Sequence, residues 1–179
     1  MQRREFIKTT SAAIGYTTMG VGLMASITNQ TTATQRALIF DAMGEIREVY
    51  PRKLIREMLD SGLNAITVTL CDPKTFELEA YDTAMEGIAH YDRLISKQHD
   101  LYMKALRTSD INTARKQNKM AIFYLFQNST PFGRNLELVD TFYNLGVRST
   151  QITYNYQNWA GAGCKERTGR SEEHTSELQ

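Results

Sequence analysis

Apolar positions along this chain switch repeatedly between two spacings. Short unbroken runs of apolar and β-branched residues give way to stretches in which apolar residues recur every three or four positions. The first spacing suits strands buried on both faces, and the second suits helices with one buried stripe. The runs predict strands over 36–40, 65–70, 101–106, 120–126 and 149–154. Between them, Leu54, Ile55, Met58 and Leu59 predict a helix that begins at Pro51 and stops at Ser61-Gly62. Leu78, Tyr81, Met85, Ile88, Tyr91, Leu94 and Ile95 form the stripe of a long helix over 76–97, with His90 on its charged side. A short helix over 111–117, capped by Ser109 or Asp110, precedes the fourth strand, and another over 135–144 is ended by Gly146.

Strand, polar cluster, helix and strand again is the order of successive βα units, which build a parallel sheet. In such folds the carboxyl ends of the strands carry the chemistry. Candidate residues therefore lie at Asp41–Glu45, Asp72, Gln127–Asn128 and Tyr154–Asn158. Two architectures accommodate five parallel strands, a doubly wound sheet and part of a closed barrel. The first strand is not followed by G-x-G-x-x-G, which weakens a dinucleotide-binding reading. The expected fold class is thus α/β, an incomplete (β/α)8 TIM-type barrel with about the first five strands present.

The charges at the rim allow two readings. Asp41 and Glu45 follow the first strand, where a carboxylate pair binds a divalent metal or serves as acid and base. The same two residues also suit a capping Asp and a solvated Glu. Asp72-Pro73 is a common turn. Gln127, Asn128, Tyr154 and Asn155 supply neutral hydrogen-bonding groups that orient a substrate or satisfy loop backbone. The chain holds no G-x-S-x-G elbow, no H-E-x-x-H and no Cys/His cluster.

Hydrophobic residues make up 41% of the 179, enough for a core, and the formal net charge is +1. No basic stripe is present, so a nucleic-acid partner is not expected. Residues 1–30 read as a twin-arginine export signal: Arg3-Arg4-Glu5-Phe6-Ile7-Lys8 precedes an uncharged, weakly apolar stretch from Ser11 to Ile27. The Gly and Thr content of that stretch makes it a poor membrane span. The expected partner is the twin-arginine translocation machinery, and the expected location is periplasmic or membrane-associated. Residues 170–179 match a sequencing adapter translated in one frame, so the natural protein is expected to continue beyond 169. Cys71 and Cys164 are too few for a disulfide framework; each is expected as a small buried or half-buried residue, the alternative being that they pair in an oxidising compartment.

Four stretches carry a resemblance: Leu38-Ile-Phe-Asp-Ala-Met-Gly-Glu-Ile-Arg47, Lys119-Met-Ala-Ile-Phe-Tyr-Leu-Phe-Gln-Asn128, Leu145-Gly-Val-Arg-Ser-Thr-Gln-Ile-Thr-Tyr-Asn155 and Asn158-Trp159. Over roughly residues 36–168 the chain resembles the first half of the membrane (renal-type) dipeptidase catalytic domain. The resemblance implies a (β/α)8 barrel with a two-zinc site, a small peptide substrate, and a zinc-bound hydroxide that attacks the peptide carbonyl. It also exposes departures. Met43 and Glu45 stand where His-x-Asp ligands are expected, Gln127 where a bridging glutamate is expected, and Tyr154 where a substrate-contacting histidine is expected. Glu45 remains the one metal-ligand candidate, and Tyr154, Gln127 and Asn128 are the substrate-binding candidates. Zinc in the full-length protein is then expected as one ion rather than two. The expectation is a truncated, inactive portion (36–169) of a metal-dependent dipeptidase-like hydrolase. The alternative is a non-catalytic or metal-free barrel protein that binds a small polar ligand. An oligomer is compatible with either.

Overall fold

The computed structural model describes residues 37–166. The chain divides into two units, Met1–Gln35 and Arg36–Gln179. The expected export signal with Arg3 and Arg4, and residues 170–179 expected to be foreign, lie outside the described residues. Among the described residues five strands and four α-helices alternate: β1 (Ile39–Gly44), α1 (Arg52–Asp60), β2 (Leu63–Thr69), α2 (Glu77–Lys97), β3 (Tyr102–Lys104), α3 (Ser109–Lys116), β4 (Met120–Phe126), α4 (Glu137–Asn144) and β5 (Val147–Thr150), with a 3-10 turn at Thr130–Phe132. Every strand pairing is parallel. This is the partial barrel wall that the alternation predicts.

The order across the sheet is not sequential. β2 pairs directly with β4, Ala65 facing Ala121 and Thr69 facing Leu125. β3 and β5 share the other side of β4 at different heights, β3 along Met120–Ile122 and β5 along Tyr124–Phe126. Sequence length explains this: β3 has only three residues and β5 four, so one seven-residue neighbour accommodates both. β4 is buried along its whole length, as an apolar strand with neighbours on both edges should be.

Alternation along β4 divides the core. Ile122, Tyr124 and Phe126 point to the face that packs Ile55 and Leu59 of α1, Ala84, Ile88 and Leu94 of α2, and Phe142 of α4. Ala121 and Phe123 point the other way, toward Ala105 and the α3 residues Ile111 and Ala114. Small residues on that side, Ala65, Ala114 and Ala121, let α3 approach closely. Phe142 meets Phe126 edge-on at 4.9 Å and Tyr81 at 5.7 Å, tying α4, β4 and α2 into one aromatic cluster. A side chain of this kind, fully buried, contributes roughly 1.5–3 kcal/mol.

Several boundaries differ from the sequence reading. β1 reaches Gly44, so Asp41 lies inside a strand and not on the following loop. It was expected to be buried on both faces, yet Ile39, Phe40 and Met43 keep 47%, 45% and 45% of their surface; among the described residues β1 pairs only with β2. β5 ends at Thr150, leaving Tyr154 in irregular chain. Thr108 is the N-cap of α3, without a side-chain bond; the Asp110 carboxylate instead accepts the N–H groups of Leu106 and Arg107 at 2.8 and 3.1 Å. Gly62 and Gly146 stop α1 and α4 as expected, with φ of 101° and 109°. Among the described residues no helix is long and apolar enough to cross a membrane.

Candidate functional site at the carboxyl ends of the strands

At the end of β1 the register slips between Asp41 and Gly44. The Asp41 carboxylate accepts the Met43 N–H at 3.1 Å, which tightens the chain locally. At Gly44 a β-carbon would crowd the side chains of Ile66 and Asp41, so a larger residue there makes one of them shift. A slip of this kind re-aims side chains. Met43 reaches across to Gln127, whose Nε2 lies 3.2 Å from the thioether Sδ. Glu45 turns elsewhere and pairs with Arg47 at 2.8 Å, both groups more than half exposed. The hydrogen bond from Arg47 holds the Glu45 carboxyl below its usual range.

Beyond β2, Asp72 organises a turn, its carboxylate accepting Lys74 N–H at 2.9 Å and its carbonyl accepting Thr75 N–H at 3.0 Å. Cys71 is buried beneath that turn, with Sγ 3.0 Å from Thr75 Oγ1, and burial pushes its thiol pKa up. Asn128 is 5% exposed. Its Nδ2 donates to Pro73 O at 2.8 Å and its Oδ1 accepts Thr130 N–H at 3.1 Å, so the side chain clamps the β2 loop to the β4 loop. Ser129 Oγ and Asn158 Nδ2 both donate to Ile152 O at 2.8 Å, which binds the segment after β5 to the same rim.

Tyr154 stands 37% exposed on that segment. Its carbonyl accepts the N–H of the exposed, unpaired Cys164 at 2.9 Å. The Glu166 carboxylate accepts the N–H groups of Gln157 and Gly163 and closes the loop. Sequence reasoning missed Ser129 and Glu166, since a lone Ser or Glu carries no signal of which backbone it will satisfy. It also missed Arg134, whose guanidinium lies 3.7 Å over the Trp159 ring.

Met43 and Gln127 are thus brought together, and Asn128 follows Gln127 in sequence. No described contact joins Glu45 or Tyr154 to that pair. A cavity of about 420 Å³ opens among Leu78, Tyr81, Phe132, Arg134, Leu138 and Trp159. It lies on the helix-packed side, and neither Met43, Gln127 nor Tyr154 lines it.

The resemblance implies zinc, and the donor set can be judged directly. Among the described residues no three His, Cys, Asp or Glu side chains converge on a point. The β1 and β4 ends present a thioether and an amide to each other, and Glu45 is engaged with Arg47. These residues do not fit a two-zinc centre, which needs anionic or imidazole donors.

A parallel α/β wall with a polar rim defines a barrel protein whose chemistry sits at the strand ends. The chain belongs to the membrane dipeptidase family (peptidase family M19), whose model matches residues 25–179. Among solved structures it is similar to an amidohydrolase from Pseudomonas aeruginosa, with 31% identity, a TM-score of 0.62 and coverage of 73% of this chain and 38% of that one. The probable dipeptidase PvdM from the same organism shares 16% identity at a TM-score of 0.55, covering 69% of this chain and 37% of its own. A metallopeptidase from Rhodobacter sphaeroides, solved with a phosphinate mimic of the dipeptide L-Ala-D-Ala, shares 12% at 0.54, covering 66% and 46%. The last two likenesses show the fold alone. The chain spans less than half the length of each of these structures. No curated protein matches the sequence.

Proposed function

We propose that this chain is part of a dipeptidase-like hydrolase that cleaves dipeptides or related small amides. Membership of the membrane dipeptidase family over residues 25–179 carries this reading. The rim of the described half contributes binding and orientation. Gln127 and Tyr154 present neutral polar groups beside a backbone frame fixed by Asn128, Ser129 and Asn158. Such groups hold a small peptide by its amide edges without needing opposite charge. A second reading, a barrel protein that binds a small polar ligand without cleaving it, draws on the Met43–Gln127 contact. That contact places no nucleophile, base or charged group where the family's ligands are expected.

A panel of dipeptides incubated with the full-length protein separates the two. Release of free amino acids, followed by ninhydrin or mass spectrometry, is the expected outcome; saturable binding with no release would favour the second reading. The export signal supports delivery by the twin-arginine route to the periplasm or its membrane. Replacing Arg3 and Arg4 by Lys should leave a fused reporter in the cytoplasm, and unchanged export would refute that route.

A further inference from the structure

We infer that the junction of β1 and β4 is a metal-free contact in which Met43 and Gln127 replace a zinc bridge with a neutral donor–acceptor pair. The inference deepens the hydrolase reading, and it rests on that family placement for the correspondence of the two positions. Three observations carry it.

First, the two side chains are already each other's partners, Gln127 Nε2 donating toward Met43 Sδ at 3.2 Å. A metal between them would have to break that contact. It would gain only a thioether and an uncharged amide, both poor donors to zinc. Second, the neighbouring carboxylates are committed elsewhere. Asp41 accepts the N–H of Met43 itself, and Glu45 is paired with Arg47. Recruiting Glu45 means giving up its pair with Arg47, and Asp41 has one oxygen tied to the backbone of Met43. Third, charge balance is against two ions. Two dications about 3.5–4 Å apart need an anionic bridge to offset a repulsion four times that of unit charges at the same distance. Gln127 carries no charge.

With Nε2 engaged by sulfur, Gln127 retains its Oε1 as a neutral acceptor. At Oε1 this part of the rim would receive a hydrogen-bond donor, such as a peptide N–H or an ammonium, while the second N–H of Nε2 stays available to an acceptor.

The test is zinc stoichiometry of the full-length protein after equilibration with zinc alone and removal of excess. Expected are no more than one zinc per chain in the wild type and the same value in M43L and Q127L. Two zinc ions per chain in the wild type overturn the inference. So does loss of zinc from either variant with an unchanged melting temperature. Dipeptide turnover is measured on the same samples, which keeps the two readings apart. Absent turnover at unchanged zinc content counts against the hydrolase reading and leaves the metal-free junction standing.

Discussion

Replacing Gly87 by Ala sets two well-known effects against each other. Gly87 lies inside α2, where Ala is favoured over Gly by roughly 0.8–1.0 kcal/mol. On that account alone G87A would stabilise the protein. The structure says otherwise. A β-carbon at Gly87 would stand 2.0 Å from the carbonyl oxygen of Leu70, 2.8 Å from its carbon and 3.1 Å from its Cα. Favourable heavy-atom contact lies at about 3.5–4.0 Å, so the overlap with the oxygen exceeds an ångström. The obstacle is main chain at the end of β2, and no rotamer change relieves it. The helix must lift, and Ala80, Ala84, Ile88, Tyr91 and Leu94, all buried in the same core, lift with it.

Overpacking costs about 1–3 kcal/mol, occasionally more, and a backbone target places this case at the upper end. After the helical gain, a net loss of about 2 kcal/mol is expected. In a full-length protein longer than this chain, that lowers the melting temperature by about 2–4 °C. Thermal unfolding of the full-length protein by circular dichroism measures it. E86A, on the exposed neighbouring position, controls for helix propensity. If G87A melts at or above the wild type, the close approach of α2 to β2 is wrong. The consequence reaches the rim, because Leu70 leads directly into the turn whose Pro73 carbonyl receives Asn128.

Two further outcomes follow from burial. Of the two cysteines, Cys164 is exposed and Cys71 is buried with its thiol pKa raised, so one thiol should react rapidly with Ellman's reagent and the second only in denaturant. Equal rates for both in the native protein would refute the placement of Cys71. Tyr102 is 2% exposed, and burial pushes its pKa up to about 12. Its folded pKa is raised, so the stability it contributes is whole below its ordinary value of 10 and is lost as pH rises through about 12. The melting temperature should fall more steeply above about pH 10 in the wild type than in Y102F, and parallel slopes would contradict the burial of its hydroxyl.

Periodicity made the helices and the central strand legible. α2 begins one residue after the predicted start and ends where predicted, and β4 matches its run residue for residue. Both are long, and their burial depends on their own apolar pattern. β1 and β5 were less legible because neighbours decide them. The slip at Asp41–Gly44 depends on the close approach of Gly44 to Ile66, which no single-strand pattern encodes. β5 was placed too late because Ile152 and Tyr154 are apolar without being in a strand; Ile152 stays exposed while its carbonyl ties the loop to Ser129 and Asn158. At the site, sequence named Met43, Gln127, Asn128 and Tyr154. It could not tell that Asn128 would spend both ends of its amide on backbone, or that Met43 and Gln127 would touch.

That division of labour explains how a family fold can persist while its rim changes. The residues that shape the rim are held by main-chain contacts: Asn128 to Pro73 and Thr130, Ser129 and Asn158 to Ile152, Glu166 to Gln157 and Gly163. None of these bonds involves Met43, Glu45 or Tyr154, and Gln127 touches only the Met43 thioether through its side chain. Exchanging the side chains at those four positions therefore alters donor chemistry without removing any bond that fixes the loops. A barrel wall of this kind sets where a reaction can happen, and the exposed side chains at the strand ends set which one. The wall here is that of the membrane dipeptidases. Its β1–β4 corner holds a thioether and an amide in contact, and on the metal-free reading proposed above any hydrolysis by the whole protein would draw on residues outside that corner.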